Sequence, residues 1–478
     1  MSQHAISQIL VYGNTLAASM TMLALARSLP RSTKLTWVRP KTCCPGEVLY
    51  GGLTSPEAYQ FNLQLGITEP ELILHTDTTF SFGTHFSQWG NNKRSWVQSF
   101  HLPFAVNAGV ELHHFMTRHK LALGDFLIST QAALQGTFAH PPEGKPQSPL
   151  SRAEYGYHFD PAQWSAMFLS KLDKSRITLH EQSVSAVQIQ QGDIDAVQLD
   201  DGSTLRADLY IDCSGIHRQL LAALNQKFII QRSVHLTSQT ETSATTGPAC
   251  RSITGHQQGW QSVTPLRNKN QRISLLETSD KLADHAGALH CQAINLGSYQ
   301  QAWQGNCVGI GHSAYALEPV TPAAYILLKK DIQRLLELIP LSANSQIERH
   351  EYNRRFQDDV EHAELFHRAL YAQQREVGYA SCEKLERKLS QYSHRGVLVS
   401  YDFEPFNPQD WAILHAGLNR VPQRYDRMAE QLDFNAMQNQ LETVRSGIAR
   451  LASSMPAHHL YLEKLSVYLR DNQQYGQQ

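Results

Sequence analysis

The 478-residue chain lacks a charge imbalance: 42 Lys and Arg stand against 43 Asp and Glu, for a formal net charge of −1. With no basic surplus it carries no electrostatic footprint for a polyanion, so nucleic acid is not an expected partner. It also lacks any apolar run near the roughly 18 residues that cross a bilayer, and no membrane partner is expected. The opening Met1-Ser2-Gln3-His4 has neither a basic region nor a small-residue cleavage site, so a cytoplasmic location is the expectation. The seven cysteines are odd in number, dispersed and without metal-ligand spacing, which suits a reducing compartment. There are 23 histidines, including the pair His113-His114, but no HExxH or facial-triad spacing accompanies them, and no metal site is expected. Internal repeats and low-complexity segments are absent too.

What is present is organised around one stretch. Ile9-Leu10-Val11 reads as an apolar strand that runs through a small-residue turn into a helix. This is the opening unit of a dinucleotide-binding domain, in which the helix N-terminus would face a pyrophosphate. A Gly-x-Gly-x-x-Gly fingerprint in this register would place glycine at 12, 14 and 17, but the chain has Tyr12, Asn14 and Ala17, and only Gly13 remains. Asn14 tolerates the positive φ that a glycine turn often needs, and Ala17 adds one methyl where helix and pyrophosphate approach. The next strand, Leu35-Thr36-Trp37-Val38, ends at Arg39, where many dinucleotide-binding folds carry an acid for a ribose hydroxyl pair. Arg39 either approaches a phosphate or is a solvated strand end.

At this length two associated domains, or one large α/β domain with a cap, are expected. Residues 56–65 read as a helix closed by Gly66, and residues 79–89 as an aromatic, partly alternating strand. Asp160-Pro161 marks a helix start, and 184–189 with 194–199 read as a hairpin over Gln191-Gly192-Asp193. Residues 205–211 read as one further strand ending in Asp212-Cys213-Ser214-Gly215. From 228 to 276 the Thr, Ser, Gln and β-branched content predicts an antiparallel sheet, after which 307–310 returns to the first domain and enters Gly311. Most of the remainder is helical. The division expected is a discontinuous nucleotide-type domain (1–225 and 300–340), sheet residues 226–299 and a helical region 341–478.

A first domain assembled from an N-terminal strand, Asp212 to Gly215 and Gly311 to Pro319 is laid out like the glutathione-reductase-type flavoproteins. More specifically, the chain resembles the flavin-dependent tryptophan halogenase family from Ile9 to about Pro422. The landmarks are Gly46-Glu47, Leu65 to Glu69, Phe86 to Trp89, Tyr157 to Asp160, Ile211 to Gly215, Gly259-Trp260 with Pro265-Leu266, Leu317-Glu318-Pro319, and Trp411 to Gly417. Each is weak alone, and their order and spacing make the resemblance specific. It implies an α/β fold with an FAD/NAD(P)-binding domain, an inserted antiparallel sheet and a helical C-terminal region. It also implies FAD as cofactor, a separate flavin reductase, a small aromatic or indole-type substrate, and a homodimer. The positions it assigns to the cofactor are Gly13, Asn14, Ala17, Arg39, Gly46, Glu47, Asp212, Gly215, Gly311, Glu318 and Pro319.

The family's halogenating chemistry needs a lysine ammonium beside the ring and a carboxylate that helps activate the hypohalous species or accepts the ring proton. The residues at those positions here are Ser81 and Thr321, and neither can take over the role. Ala323-Ala324 stands where the halide-binding Thr-Gly backbone is expected, and Trp260 to Pro265 keeps only the first Trp and the Pro of the Trp-x-Trp-x-Ile-Pro signature. Lys93 and Arg94 lie beyond Trp89 in a polar turn and do not substitute for the lysine. Two readings result: a halogenase-family oxidoreductase of altered chemistry, or a halogenase-like pseudoenzyme acting as a binding or partner protein. A third, weaker one is an NAD(P)-dependent enzyme, prompted by Arg39. If the alignment holds, Ser81 and Thr321 share a cavity near Trp260, and Tyr12 either enters the nucleotide groove or folds away from it.

Overall fold

The structure is a computed structural model, and it describes residues 6–42, 44–90, 94–102, 109–257, 259–277, 291–340, 345–372 and 382–475. Its first layer is a six-stranded sheet with spatial order Trp303–Gln304, Cys307–Gly309, Leu209–Asp212, Gln8–Tyr12, Lys34–Val38 and Ile177–His180. All neighbours are parallel except the terminal Trp303–Gln304 hairpin. A central parallel strand is covered on both faces, which is why Ile9 to Tyr12 and Leu209 to Asp212 are buried along their whole length. One face packs on the helix Leu16–Ser28. The other lies under a three-stranded sheet built on Val184–Gln190 and Asp193–Leu199.

The second layer is an eight-stranded sheet, ordered Tyr315–Ala316, Cys291–Ser298, Ile229–Thr242, Lys269–Leu276, Gly259–Pro265, Arg251–His256, Gly83–Ser87 and Trp96–Ser99. Its middle is antiparallel, and one parallel pairing, Arg251–His256 with Gly83–Ser87, joins the sequence-distant edge to it. The helices Ala323–Leu338 and Gln346–Tyr371 pack together behind the first layer, and Pro408–Gly417 packs on Trp96–Ser99. Pro456 separates the last two helices, Phe434–Ser454 and His458–Tyr475. Among the described residues no helix is long and apolar enough to cross a membrane.

Two expected strands are each broken in two. Residues 79–89 do not run as one strand: Thr79–Ser81 pairs with Gly156–His158, and Gly83–Ser87 belongs to the eight-stranded sheet. The break comes where Gly83 takes φ +135° and the Ser81 hydroxyl bonds Gly83 on both its N–H and its carbonyl. Residues 205–211 likewise split, with Thr204–Leu205 ending one sheet and Leu209–Asp212 starting another. Between them Asp208 accepts from the backbone N–H groups of Ser7 and Gln8, turning the chain across to the first strand. Residues 109–127 contain the helix Leu112–His119 and a short turn at Leu123–Phe126. The helix Glu383–Arg395 starts after Cys382, which has an extended backbone at the N-cap.

Candidate functional site

At the end of the first strand, Gly13 adopts φ +141°, and a Cβ there would sit 2.1 Å from the Cys213 carbonyl oxygen. Glycine is therefore required by the closeness of two strand ends. Its N–H donates to the Val38 carbonyl at 3.0 Å, and its carbonyl accepts from the buried Trp37 indole at 2.9 Å. Asn14 does not take a positive φ; its amide instead donates to the Pro40 carbonyl at 2.9 Å. Thr15 caps the helix, accepting from the Ala18 N–H at 3.1 Å while its hydroxyl donates to the Cys213 carbonyl. The Leu16 N–H, at the first helical position, donates to the Glu47 carboxylate at 2.9 Å. The chain thus places a carboxyl of its own at the end of the helix where a phosphate is expected. Burial raises the Glu47 carboxyl to about 7, with the Leu16 N–H pulling the other way.

The neighbouring positions are closely packed. Ala17 is buried with its methyl directed at Gly311, since a Cβ on Gly311 would lie 3.3 Å from it. A Cβ on Gly46 would be 2.8 Å from Ile216, and one on Gly215 would be 2.7 Å from the Cys44 sulfur. Tyr12 folds away into the core beneath the three-stranded sheet, where its hydroxyl donates to Gln219 at 2.8 Å. Arg39 is ion-paired with Glu181 at the exposed strand end. Asp212 is wholly buried, and its two oxygens accept from the Ser214, Leu220 and Leu221 N–H groups and from the Ser214 and Ser313 hydroxyls. Its bonds tie the loop at 214–221 to the loop at Gly311, whose own N–H donates to Asp331 at 3.1 Å.

From Gly311 the chain runs into buried Glu318 and Pro319. One Glu318 oxygen accepts from the Trp260 indole at 2.6 Å and from the Tyr371 hydroxyl, and the other pairs with Arg232 at 2.9 Å. Thr321 comes next, its hydroxyl 2.6 Å from Nε2 of buried His367, whose pKa burial lowers to about 4. Thr321 lines a cavity of about 360 Å³, within the size range of small-molecule sites. Ser81 and Trp260 do not line it: Ser81 is wholly buried and bonded to Gly83, and Trp260 lies behind Thr321 on Glu318. Thr84, from the strand after the Gly83 break, takes a place on the wall.

The cavity has an aromatic floor and acidic groups on its wall. Phe86, Phe100, Phe366 and Phe406 contribute rings, and Glu57, Glu154 and Asp410 contribute carboxyls. Burial, with Glu154 nearby, raises Asp410 to about 7, and burial also raises Glu154. His101 stays neutral because burial, reinforced by Arg152, lowers it to about 3. Arg94 lines a separate cavity of about 580 Å³, walled by Trp96 and Val97; Lys93 lies outside the described residues.

Sequence reasoning missed Arg232, Tyr371, His367, Glu154 and Asp410. Two of these left a signal. Asn407-Pro408-Gln409-Asp410 is a capping box, with Asn407 and Asp410 bonded reciprocally, which places Asp410 on the first turn of its helix. His367, with Arg368, interrupts the apolar residues Leu365, Phe366, Ala369 and Leu370.

A family model described as tryptophan halogenase matches residues 8–433. The chain is 28% identical over 219 residues to the tryptophan 7-halogenase KtzQ of Kutzneria sp. (strain 744), a match spanning 39% of this chain and 40% of that protein. It is 20% identical over 408 residues to the tryptophan 6-halogenase ThaL of Streptomyces albogriseolus, covering 77% and 76% of the two. Among solved structures, the flavin-dependent halogenase BrvH from Brevundimonas sp. BAL3 superposes with a TM-score of 0.86 at 23% identity, over 96% of this chain and 99% of that one. Xcc4156, a flavin-dependent halogenase from Xanthomonas campestris, gives 0.88 at 21% identity, over 96% and 98%.

Proposed function

The chain belongs to the tryptophan halogenase family, a family of flavin-dependent enzymes, and from that premise we propose that it is a binding protein for a small aromatic ligand that has given up the halogenating chemistry. The observation that carries this reading is the Glu47 carboxylate on the Leu16 N–H, because it takes the helix end that a pyrophosphate needs. In this arrangement Glu47 holds the Leu16 N–H and the Asn14 amide is turned to the Pro40 carbonyl, so the turn does not fit FAD. On the substrate side, a hydroxyl stands at each of the two chemical positions. Thr321 faces the cavity but can neither act as a general base near neutral pH nor carry a carboxylate's charge, and Ser81 is turned into its own strand break.

The test is titration of the purified protein with FAD, followed by flavin absorbance after removal of free cofactor. We expect no retained flavin and no saturable change. Stoichiometric, saturable FAD binding would overturn the reading and favour a second one, a flavoprotein oxidoreductase of altered chemistry served by a separate flavin reductase. That alternative is favoured by the retained left-handed glycines at Gly215 and Gly311, with φ +66° and +63°. It is decided by supplying reductase, FAD, bromide and tryptophan or indole: halogenated product in stoichiometric yield restores the full family activity.

A further inference from the structure

The cavity beside Thr321 has two kinds of wall, and their chemistry sets what it accepts. Its rings, Phe86, Phe100, Phe366 and Phe406, give it apolar surface for an aromatic group, with Phe86 stacked on Trp96 and Phe366 on Phe406. Three carboxyls reach the same space. Glu57 is paired with Lys329, but Glu154 and Asp410 have no ion pair among the described residues. No lysine or arginine lines the cavity among those residues, and His101 is neutral. Gln98 donates its amide to the Asp410 carbonyl, which leaves its Oε1 buried without a hydrogen-bond partner on the same wall.

Glu154 and Asp410 are half-buried, and a carboxyl partly withdrawn from water without a counter-charge is costly, more so with a second one nearby. An ammonium group placed between Glu154 and Asp410 would supply the missing charge, and the acceptor on Gln98 suits a ring N–H or ammonium donor. A ligand carboxylate would meet only negative or neutral groups, which disfavours an amino acid as much as an aromatic acid. Resting on the proposed aromatic-binding function, we propose that the ligand of this cavity is an aromatic amine, cationic and without a carboxylate, its ring on the phenylalanines and its ammonium at Glu154 and Asp410.

Calorimetric titration of the full chain with four probes of common ring and different charge tests this: tryptamine, indole, tryptophan and indole-3-acetate. Tryptamine is expected to bind about tenfold tighter than indole, with tryptophan no tighter than indole and indole-3-acetate weakest. Glu154→Gln, which touches no helix cap, should bring the tryptamine-to-indole ratio toward one while indole affinity holds. Asp410→Asn should do the same, and its amide oxygen can still accept from the Asn407 N–H that caps the helix. Tryptophan or indole-3-acetate binding as tightly as tryptamine would overturn the assignment, as would a ratio unchanged in Glu154→Gln. Indole binding with no preference for tryptamine defeats this inference alone, whereas failure of all four probes defeats the aromatic-binding reading with it.

Discussion

The two ends of the segment from Gly311 to Thr321 meet the same kind of group in opposite ways. At the nucleotide end, carboxylates are consumed by the chain: Asp212 takes three backbone N–H groups and two hydroxyls, and Glu47 takes the first N–H of a helix. At the cavity end, Asp410 takes one backbone N–H and Glu154 none among the described residues, and neither half-buried acid has a described cation to answer it. The difference teaches how a binding site closes or stays open. Where backbone elements already lie close, side chains can close the gap with bonds of their own. Where the walls are separate rings and helix ends, the space stays open and its charge is left for a ligand to balance.

The largest effect should come from the residue between the two ends. Glu318 holds Trp260, Tyr371 and Arg232 together in the interior. Glu318→Ala breaks the buried pair with Arg232 and should cost about 3–5 kcal/mol in urea unfolding. If the two ends are independent, probe binding at the cavity is lost while the Leu16–Ser28 helix keeps its amide-exchange protection. Equal loss of protection at both ends would make the comparison one of degree. At the nucleotide end alone, Gly13→Ala forces a methyl onto the Cys213 carbonyl in a left-handed conformation and should cost about 3 kcal/mol or more. A melting temperature within experimental error of the wild type would show that the strand ends are not as close as 2.1 Å implies.

Much of this scaffold was legible in the chain because local rules and the tertiary fold agree. Asp160-Pro161 starts a helix, Gly66 closes one, and Gln191-Gly192 turns a hairpin with both residues at positive φ. The strand at 79–89 misled because its aromatic, partly alternating pattern crosses a break in its hydrogen-bond partners: one half pairs with Gly156–His158 and the other with Arg251–His256. Nothing within eleven residues of sequence tells which sheet each half joins. The same limit hid the cavity. Its acids come from a loop at 154 and a helix start at 410, and its rings from strands near 86 and 100 and from residues 366 and 406. Only the fold brings these together, and motif spacing pointed to Thr321 alone on the cavity wall.

A pH series sharpens the contrast on the nucleotide side. Burial lifts the Glu47 carboxyl from 4.5 to about 7, so the folded protein keeps this proton to higher pH than the unfolded chain does. The unfolded state gains ionisation free energy first, and stability falls as pH rises from 4.5 toward 7, then levels off. Glu47→Gln preserves an acceptor for the Leu16 N–H and removes this loss. The variant should therefore gain on the wild type by about 1 kcal/mol, after screening at a half-buried site, when denaturation at pH 8 is compared with denaturation at pH 5. A difference that is constant across the series would mean that Glu47 is ionised throughout and serves as a permanent anion at the helix end.

The smallest effect is expected at Arg39, the one basic residue at the strand end where an acid would meet a ribose. Its partner Glu181 is 57% exposed and Arg39 itself 24%, so water competes for both groups and the pair is screened. Glu181→Gln should change stability by less than about 0.5 kcal/mol, and salt should erase what difference there is. The value of the variant lies in what it releases. If Arg39 is a phosphate ligand held in reserve by Glu181, freeing it should bring on measurable binding of ADP to the folded protein. If it is a solvated strand end, ADP titration stays flat in wild type and variant alike, which is the expected result. A flat titration leaves the helix N-terminus as the position that decides whether this domain can hold a nucleotide, and there Glu47 is already in place.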